Sequence, residues 1–128
     1  MANSPSTKTG FLGEKVAAQF LMRKGYKIIE MNYRKPWGEI DIIAEKGGVV
    51  RFVEVKTASG DFSTFSRENN TYRPEEQIHP AKLRKVIRTA QLYMASHEDD
   101  REFQIDAVGV ILDPSVRRAR CRLFEQII

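Results

Sequence analysis

Two periods of apolar side chains along the chain predict helices and strands that follow one another. A stripe with four-residue spacing predicts a helix over residues 10–24, closed by Gly25. Pro80 suits a first helical turn, and the spacing after it predicts a second helix that ends near His97. The apolar residues of the two stripes are Leu12, Val16, Phe20, Leu83, Val86, Ile87, Ala90, Tyr93 and Met94.

Five segments rich in β-branched and aromatic side chains predict strands. They are residues 26–33, 39–45, 49–56, 103–112 and 118–128. Gly47 and Gly48 separate the second segment from the third, which is a hairpin signal. Residues 58–77 are polar without a lasting period and are predicted to form a long loop. The element order α-β-β-β-α-β-β indicates an α/β fold.

Length and composition fit a single globular domain. The chain has 128 residues, of which 41% are hydrophobic and 30% charged. Residues 1–9 are polar and are predicted to be a flexible N-terminal segment, so we expect the domain to span residues 10–128. The formal net charge of +4 is compatible with a polyanionic partner but does not show one.

The sequence disfavours membrane and secreted classes. No apolar run approaches the roughly 20 residues of a membrane span, and the polar N-terminus lacks the apolar core of a secretion signal. Cys121 is the only cysteine, which is typical of a reduced thiol. We therefore expect a cytoplasmic protein with no membrane partner.

The predicted hairpin brings charged residues together. If Gly47 and Gly48 form its loop, Asp41 lies opposite Glu54 and Glu39 lies opposite Lys56. These four residues would share one charged face of the sheet. The opposite, apolar face would contain Ile40, Ile42, Val53 and Val55.

Facing carboxylates predict a metal site. Two carboxylates directly opposite repel each other, and a divalent cation such as Mg²⁺ or Mn²⁺ would compensate them. Beside such an ion, Lys56 would steady an attacking water or a phosphate oxygen, as phosphodiester hydrolysis requires. The alternative interpretation is an exposed sheet face on which Glu39 and Lys56 form an ordinary surface ion pair.

Residues 38–43 (GEIDII) and 52–57 (FVEVKT) resemble the D…ExK core of the PD-(D/E)xK nuclease superfamily. Within that superfamily, the chain resembles the YraN-like family of uncharacterised bacterial proteins, the UPF0102 group. The likeness covers most of the chain. Other residues that carry it are Gly13, Glu14, Gly25, Tyr26, Asn32, Tyr33, Arg34, Lys82 and residues 103–106 (FQID).

The resemblance implies a restriction-endonuclease-like core, in which helices flank a mixed sheet as in archaeal Holliday junction resolvases. It implies that Asp41 and Glu54 ligate the metal with the Val55 carbonyl, and that Lys56 is the catalytic lysine. Glu14 would match an acid that some resolvases bring to the metal from the first helix. Alternatively, Glu14 is a first-turn acid favoured by the helix dipole.

Two departures from the family pattern affect substrate contacts. Ala58 replaces the basic residue that often follows the EVKT threonine, and residues 61–76 form a longer loop than usual. Outside the motif, Asp106 is expected to pair with a nearby basic group, with a role in the site as the alternative. Trp37 is expected to pack against the hairpin, with stacking on a nucleic-acid base as the alternative.

Basic residues on three segments are candidates for nucleic-acid binding, with a solvated surface as the alternative for each. They are Lys82, Lys85 and Arg88 on the second helix, Arg118 and Arg120 on the last strand, and Arg67 and Arg73 in the long loop.

The leading hypothesis is a Mg²⁺-dependent endonuclease acting on DNA, including branched or flapped forms, and dimeric as resolvases commonly are. The alternatives are a non-catalytic nucleic-acid-binding module and a protein-interaction factor.

Overall fold

The computed structural model describes residues 5–60 and 79–128, with side chains from residue 10 onward. In this part of the chain the helices are α1 (Pro5–Arg23) and α2 (Pro80–Ser96). The strands are β1 (Lys27–Lys35), β2 (Gly38–Lys46), β3 (Val49–Ser59), β4 (Phe103–Asp113) and β5 (Arg118–Phe124). The predicted element order is confirmed.

Element ends differ from the prediction where no apolar pattern marks them. Helix α1 begins at Pro5, so residues 5–9, expected to be a flexible lead-in, are helical. A proline fits a first turn because the N–H that it lacks would have no helical acceptor there. The predicted start was too late because an apolar stripe marks only the part of a helix that is buried. Strand β3 continues to Ser59, into the predicted loop. Residues 61–77 of that loop lie outside the described residues.

The strands form one mixed sheet in the order β1-β2-β3-β4-β5. Strands β3 and β4 are parallel, and α2 lies in the connection between them; the other neighbouring strands are antiparallel. The mixed sheet flanked by helices is therefore confirmed.

Each helix covers a different face of this sheet. On one face α1 buries a cluster that includes Leu21, Ile42 and Val53. On the other face α2 buries a cluster that includes Phe52 and Tyr93. Two faces covered by helices explain why the central strands are apolar on both sides. No helix among the described residues is long and apolar enough to cross a membrane.

The β2–β3 hairpin has the predicted register. Pairs run from Lys46 with Val49 to Ile42 with Val53, around the turn at residues 47–48. Both turn glycines have positive φ, 62° and 77°, as a two-residue hairpin turn requires. The turn chemistry therefore fixes the register that brings residue 41 beside residue 54.

Candidate active site

Asp41 and Glu54 meet where the β2–β3 ladder ends. The last paired residues are Ile42 and Val53. Beyond them, the backbone N–H of Val55 donates to Oδ2 of Asp41 at 2.8 Å, and the N–H of Asp41 donates to Oε2 of Glu54 at 3.3 Å. Carboxylates thus accept the N–H groups at the point where strand pairing stops.

At Asp41, the apolar side chains of β2 change from one face of the sheet to the other, and those of the neighbouring strand β1 do the same. Ile42 packs in the cluster under α1, whereas Ile40 packs in the cluster under α2. Their partners on β1 change faces in the same way, and Asn32, which lies between those partners, has a φ of 53°. Asparagine tolerates this left-handed conformation. Asp41 therefore lies at the switch, and its side chain is directed towards β3.

This switch corrects the predicted division of the hairpin into a charged and an apolar face. Ile40 does not share a face with Ile42. Alternation along β2 then places Glu39 on the side opposite Lys56, and these two residues, both exposed and both described, form no ion pair. The predicted cluster of four charges on one face is therefore wrong for Glu39, although Glu39 is close enough to raise the pKa of Asp41.

The half-buried Asp41 and the buried Glu54 form an acid pair. Only 4% of Glu54 is exposed. Burial, and next the charge of Asp41, raise the pKa of Glu54 to about 8. Burial also raises the pKa of Asp41, against the bond from Val55 and the charge of Lys82. Two neighbouring carboxylates in an apolar surrounding cannot both ionise easily, so the pair holds a proton at neutral pH.

Lys82 brings a positive charge to this pair from α2. Its Nζ lies 3.7 Å from Oε1 of Glu54. The sequence placed Lys82 among the nucleic-acid-binding candidates and missed this contact. Helical spacing identifies the polar side of α2 but does not show which strand lies beneath it.

Glu14 approaches Asp41 from α1. Its Oε1 is buried and has no hydrogen-bond partner among the described residues. Burial, followed by the charge of Asp41, raises the pKa of Glu14, while Arg34 lowers it. A buried carboxylate oxygen without a donor is costly unless a cation or water reaches it. Asp41 therefore has two acids near it, Glu54 from β3 and Glu14 from α1.

Two glycines allow the helices to lie close to the site. A Cβ at Gly13 would overlap the side chain of Thr57, so α1 can pack on β3 only because residue 13 is glycine. A Cβ at Gly38 would overlap Oγ1 of Thr89 in α2. Thr89 was not identified from the sequence. It lies beside the apolar stripe of α2, and its fully buried hydroxyl donates a hydrogen bond to the Lys85 carbonyl at 2.7 Å.

The residues present fit a hard divalent cation. Asp41 and Glu54 offer carboxylate oxygens, and the unpartnered Glu14 oxygen lies nearby. Within the described ranges, no three His, Cys, Asp or Glu side chains already form a group able to hold a metal. Mg²⁺ commonly binds one or two carboxylates and keeps several waters, so a pair is sufficient.

Comparison with known proteins identifies the family. The profile of the family described as "Uncharacterised protein family UPF0102" matches residues 13–110. This span includes most of α1, all of α2, the hairpin and most of β4. The chain belongs to this family.

Curated UPF0102 proteins are similar to this chain over most of their sequence. The UPF0102 protein of Symbiobacterium thermophilum is 42% identical over 121 residues, covering 94% of this chain and 95% of its own. Those of Wolinella succinogenes and Campylobacter fetus are 40% and 39% identical. They cover 80% and 79% of this chain, and 85% and 81% of their own. The relatives carry the name of an uncharacterised family and no stated activity.

Basic side chains predicted to bind nucleic acid lie on two elements around the site. Lys82, Lys85 and Arg88 are exposed on α2. Arg118 and Arg120 are exposed on β5, beyond the span matched by the UPF0102 profile, and line a shallow depression there. The other two candidates, Arg67 and Arg73, lie outside the described residues.

The register connects β5 to the site across the sheet. Lys56 pairs with Gly109 of β4, and Gly109 pairs with Arg122 of β5. Paired residues point to the same face, so Lys56 and Arg122 lie in one row with no side chain at the position between them.

Asp106 is a structural residue, as predicted. It is fully buried and accepts hydrogen bonds from Gln104 and from the backbone of Gln126, both at 2.8 Å, and from Tyr26 at 3.3 Å. Arg51 forms an ion pair with it at 3.5 Å. Its partners are all separate from the acid pair, so the prediction of a nearby basic partner is confirmed.

Proposed function

We propose that the protein is a metal-dependent endonuclease that hydrolyses phosphodiester bonds in DNA, including branched or flapped forms. The proposal places the chain in the PD-(D/E)xK superfamily with a restriction-endonuclease-like core. The observation that carries it is the acid pair of Asp41 and Glu54, with Lys82 beside Glu54 and Lys56 two residues further along β3. A cytoplasmic location and a homodimer stay predictions.

In this proposal Asp41 and Glu54 would hold Mg²⁺ or Mn²⁺, and the Val55 carbonyl and Glu14 would be further oxygen donors. The ion, when bound, acidifies a water and neutralises charge on the phosphate. Glu54 must release its proton for this role, because a carboxylate ligand is deprotonated. The backbone N–H of Val55 keeps Asp41 oriented towards β3.

Lysine side chains serve the phosphate in this proposal. Hydrolysis adds a water oxygen to phosphorus, breaks one P–O ester bond and transfers a proton to the leaving oxygen. The ammonium group of Lys56 donates hydrogen bonds to the attacking water or to a non-bridging oxygen, where negative charge grows. Lys82, whose Nζ lies 3.7 Å from Glu54 and whose side chain is 58% exposed, would hold a phosphate of the substrate beside the pair.

A cleavage assay tests the proposal. Labelled single-stranded, duplex, flap and four-way DNA are incubated with Mg²⁺, Mn²⁺ or EDTA. We expect divalent-dependent cleavage that falls by at least about 100-fold in Asp41→Asn and in Lys56→Ala, a loss typical of removing one charge-stabilising group. Lys27→Ala is the matched control, because the Lys27 side chain is 78% exposed and pairs with Glu45 instead. Equal cleavage by Lys56→Ala and wild type would refute the proposal.

A non-catalytic nucleic-acid-binding module is the second candidate. It is favoured by the absence of a three-residue metal-binding group among residues 10–60 and 79–128. Such a module would bind DNA in a salt-dependent way and leave every substrate intact with each divalent ion.

A further inference from the structure

The turn between β1 and β2 exposes a tryptophan among basic side chains. Trp37 is 46% exposed, so packing against the hairpin covers only part of its ring. Arg34 and Lys35 precede it and are exposed. The Lys85 carbonyl lies 3.6 Å from where a Cβ of Gly38 would be, which brings α2 to the same place. We call Arg34, Lys35, Trp37 and Lys85 the tip surface.

The tip surface borders the acid pair. Gly38 packs against Thr89 of α2, which fixes the end of the hairpin next to the helix that carries Lys82. Arg34 lies close enough to Glu14 to lower its pKa, and Asp41 lies close enough to raise it. Trp37 precedes Asp41 by four residues, about 13 Å of extended chain, so a strand of several nucleotides on Trp37 can reach the carboxylates.

We propose that the tip surface binds a nucleic acid with unpaired bases, with one base stacked on Trp37 and the adjoining phosphates on its basic side chains. This inference rests on the proposed function and specifies its substrate class. An aromatic ring stacks on a base only when the base is free of its own stack, as in single strands, flaps and branch points. Arg34, Lys35 and Lys85 add exposed positive charge on the strand and the helix that meet at this turn, which favours binding of the phosphates that flank such a base.

The charge of the tip surface argues against an apolar protein partner. Cores of protein interfaces are depleted of charged residues, whereas the turn that carries Trp37 also exposes Arg34 and Lys35. Aromatic rings combined with positive charge are the usual composition of surfaces that bind single-stranded nucleic acid. A protein partner is therefore an outcome of the test and is not proposed.

Fluorescence of the single tryptophan tests the inference independently of cleavage. The full chain is titrated in EDTA with a single-stranded oligonucleotide of about 20 bases and with a blunt duplex, and binding is followed in parallel by anisotropy of a labelled strand. We expect saturable quenching of Trp37 by the single strand and much less by the duplex. Trp37→Ala is expected to weaken single-strand binding by about 5- to 100-fold, as loss of one stacked base does.

Two variants control for fold and for general hydrophobicity. Trp37→Phe keeps an aromatic ring and should bind the single strand within about threefold of wild type. Ile29→Ala removes another exposed apolar side chain of β1, 40% exposed, and should bind as wild type does. Circular dichroism verifies that each variant is folded.

The outcomes separate this inference from the proposed function. The proposed role of the tip surface is refuted if the single strand binds without quenching Trp37, or if Trp37→Ala binds it with undiminished affinity. If wild type still cleaves DNA, the proposed function is unaffected by either result. Absence of binding to every nucleic acid refutes the tip surface as well, and points to a protein partner. Loss of single-strand binding in Trp37→Ala with no cleavage by wild type supports the tip surface and refutes only catalysis.

Discussion

Val55 and Asp41 are joined by a hydrogen bond of 2.8 Å from a backbone N–H to a carboxylate oxygen, at the end of strand pairing. This bond orients the carboxylate and opposes the rise of its pKa caused by burial. The amide oxygen of an asparagine can accept the same bond. Asp41→Asn therefore removes the charge while leaving the local backbone supported, which makes it the preferred substitution.

Stability without metal is expected to fall as pH rises. The pKa of Glu54 in the folded protein is about 8, above its ordinary value of 4.5, so between these values the folded state binds more protons than the unfolded state. The free energy of unfolding then decreases by up to about 1.4 kcal/mol per pH unit. Thermal unfolding in EDTA from pH 4.5 to 8.5 measures this.

Glu54→Gln is the control for this pH dependence. Because glutamine does not ionise, its stability relative to wild type should rise through the same window and level off above pH 8. Mg²⁺ should raise the Tm of wild type more at pH 8.5 than at pH 5.5, because the deprotonated pair binds it. If the difference in stability between wild type and Glu54→Gln did not change with pH, the raised pKa of Glu54 would be contradicted.

Gly13→Ala is expected to destabilise the protein by about 1–3 kcal/mol, because the new methyl group overlaps Thr57 and must push α1 from β3. Gly10→Ala is the matched control on the same helix, since no atom lies within 4 Å of its Cβ position. There the gain in helix propensity should leave stability unchanged or raise it by up to about 1 kcal/mol. Urea unfolding measures both, and equal stabilities would disprove the close packing.

Asp106→Ala should lower the free energy of unfolding by about 1–3 kcal/mol, because it removes the buried acceptor of Gln104 and the Gln126 backbone and leaves Arg51 paired with Glu125 alone. The matched control, Glu102→Ala, changes an exposed acid next to the same strand and should cost little. Chemical denaturation measures both variants. Cleavage per folded molecule should be unchanged in Asp106→Ala, and a selective loss of catalysis would assign this residue to the site instead.

The hairpin illustrates what sequence can and cannot predict here. Gly47 and Gly48 fix the turn, so the register that brings Asp41 to Glu54 follows from local chemistry. The face switch at Asp41 does not follow, because alternation assumes an unbroken pleat and the left-handed Asn32 breaks it. Contacts of Glu14 and Lys82 depend on how the two helices dock, which is a non-local property.

Salt dependence of binding tests the basic face of α2. If Lys85 and Arg88 neutralise phosphates, replacing either with glutamine should reduce the slope of log affinity against log salt by about one for duplex DNA. Lys27→Gln, which removes an equally exposed charge at the start of β1, should leave the slope unchanged. Anisotropy titrations in EDTA from 50 to 200 mM salt provide these slopes, and identical slopes for all variants would exclude α2 from the interface.

Mn²⁺ binding measured by electron paramagnetic resonance tests the acid pair most directly, because bound and free ion are counted without any substrate. At pH 8.5, wild type should bind about one Mn²⁺ per chain at the pair. Asp41→Asn and Glu54→Gln should each weaken binding by at least about tenfold, while the exposed control Glu98→Gln should not. Undiminished binding by Asp41→Asn, or no binding by wild type, would contradict the assignment of a metal to Asp41 and Glu54.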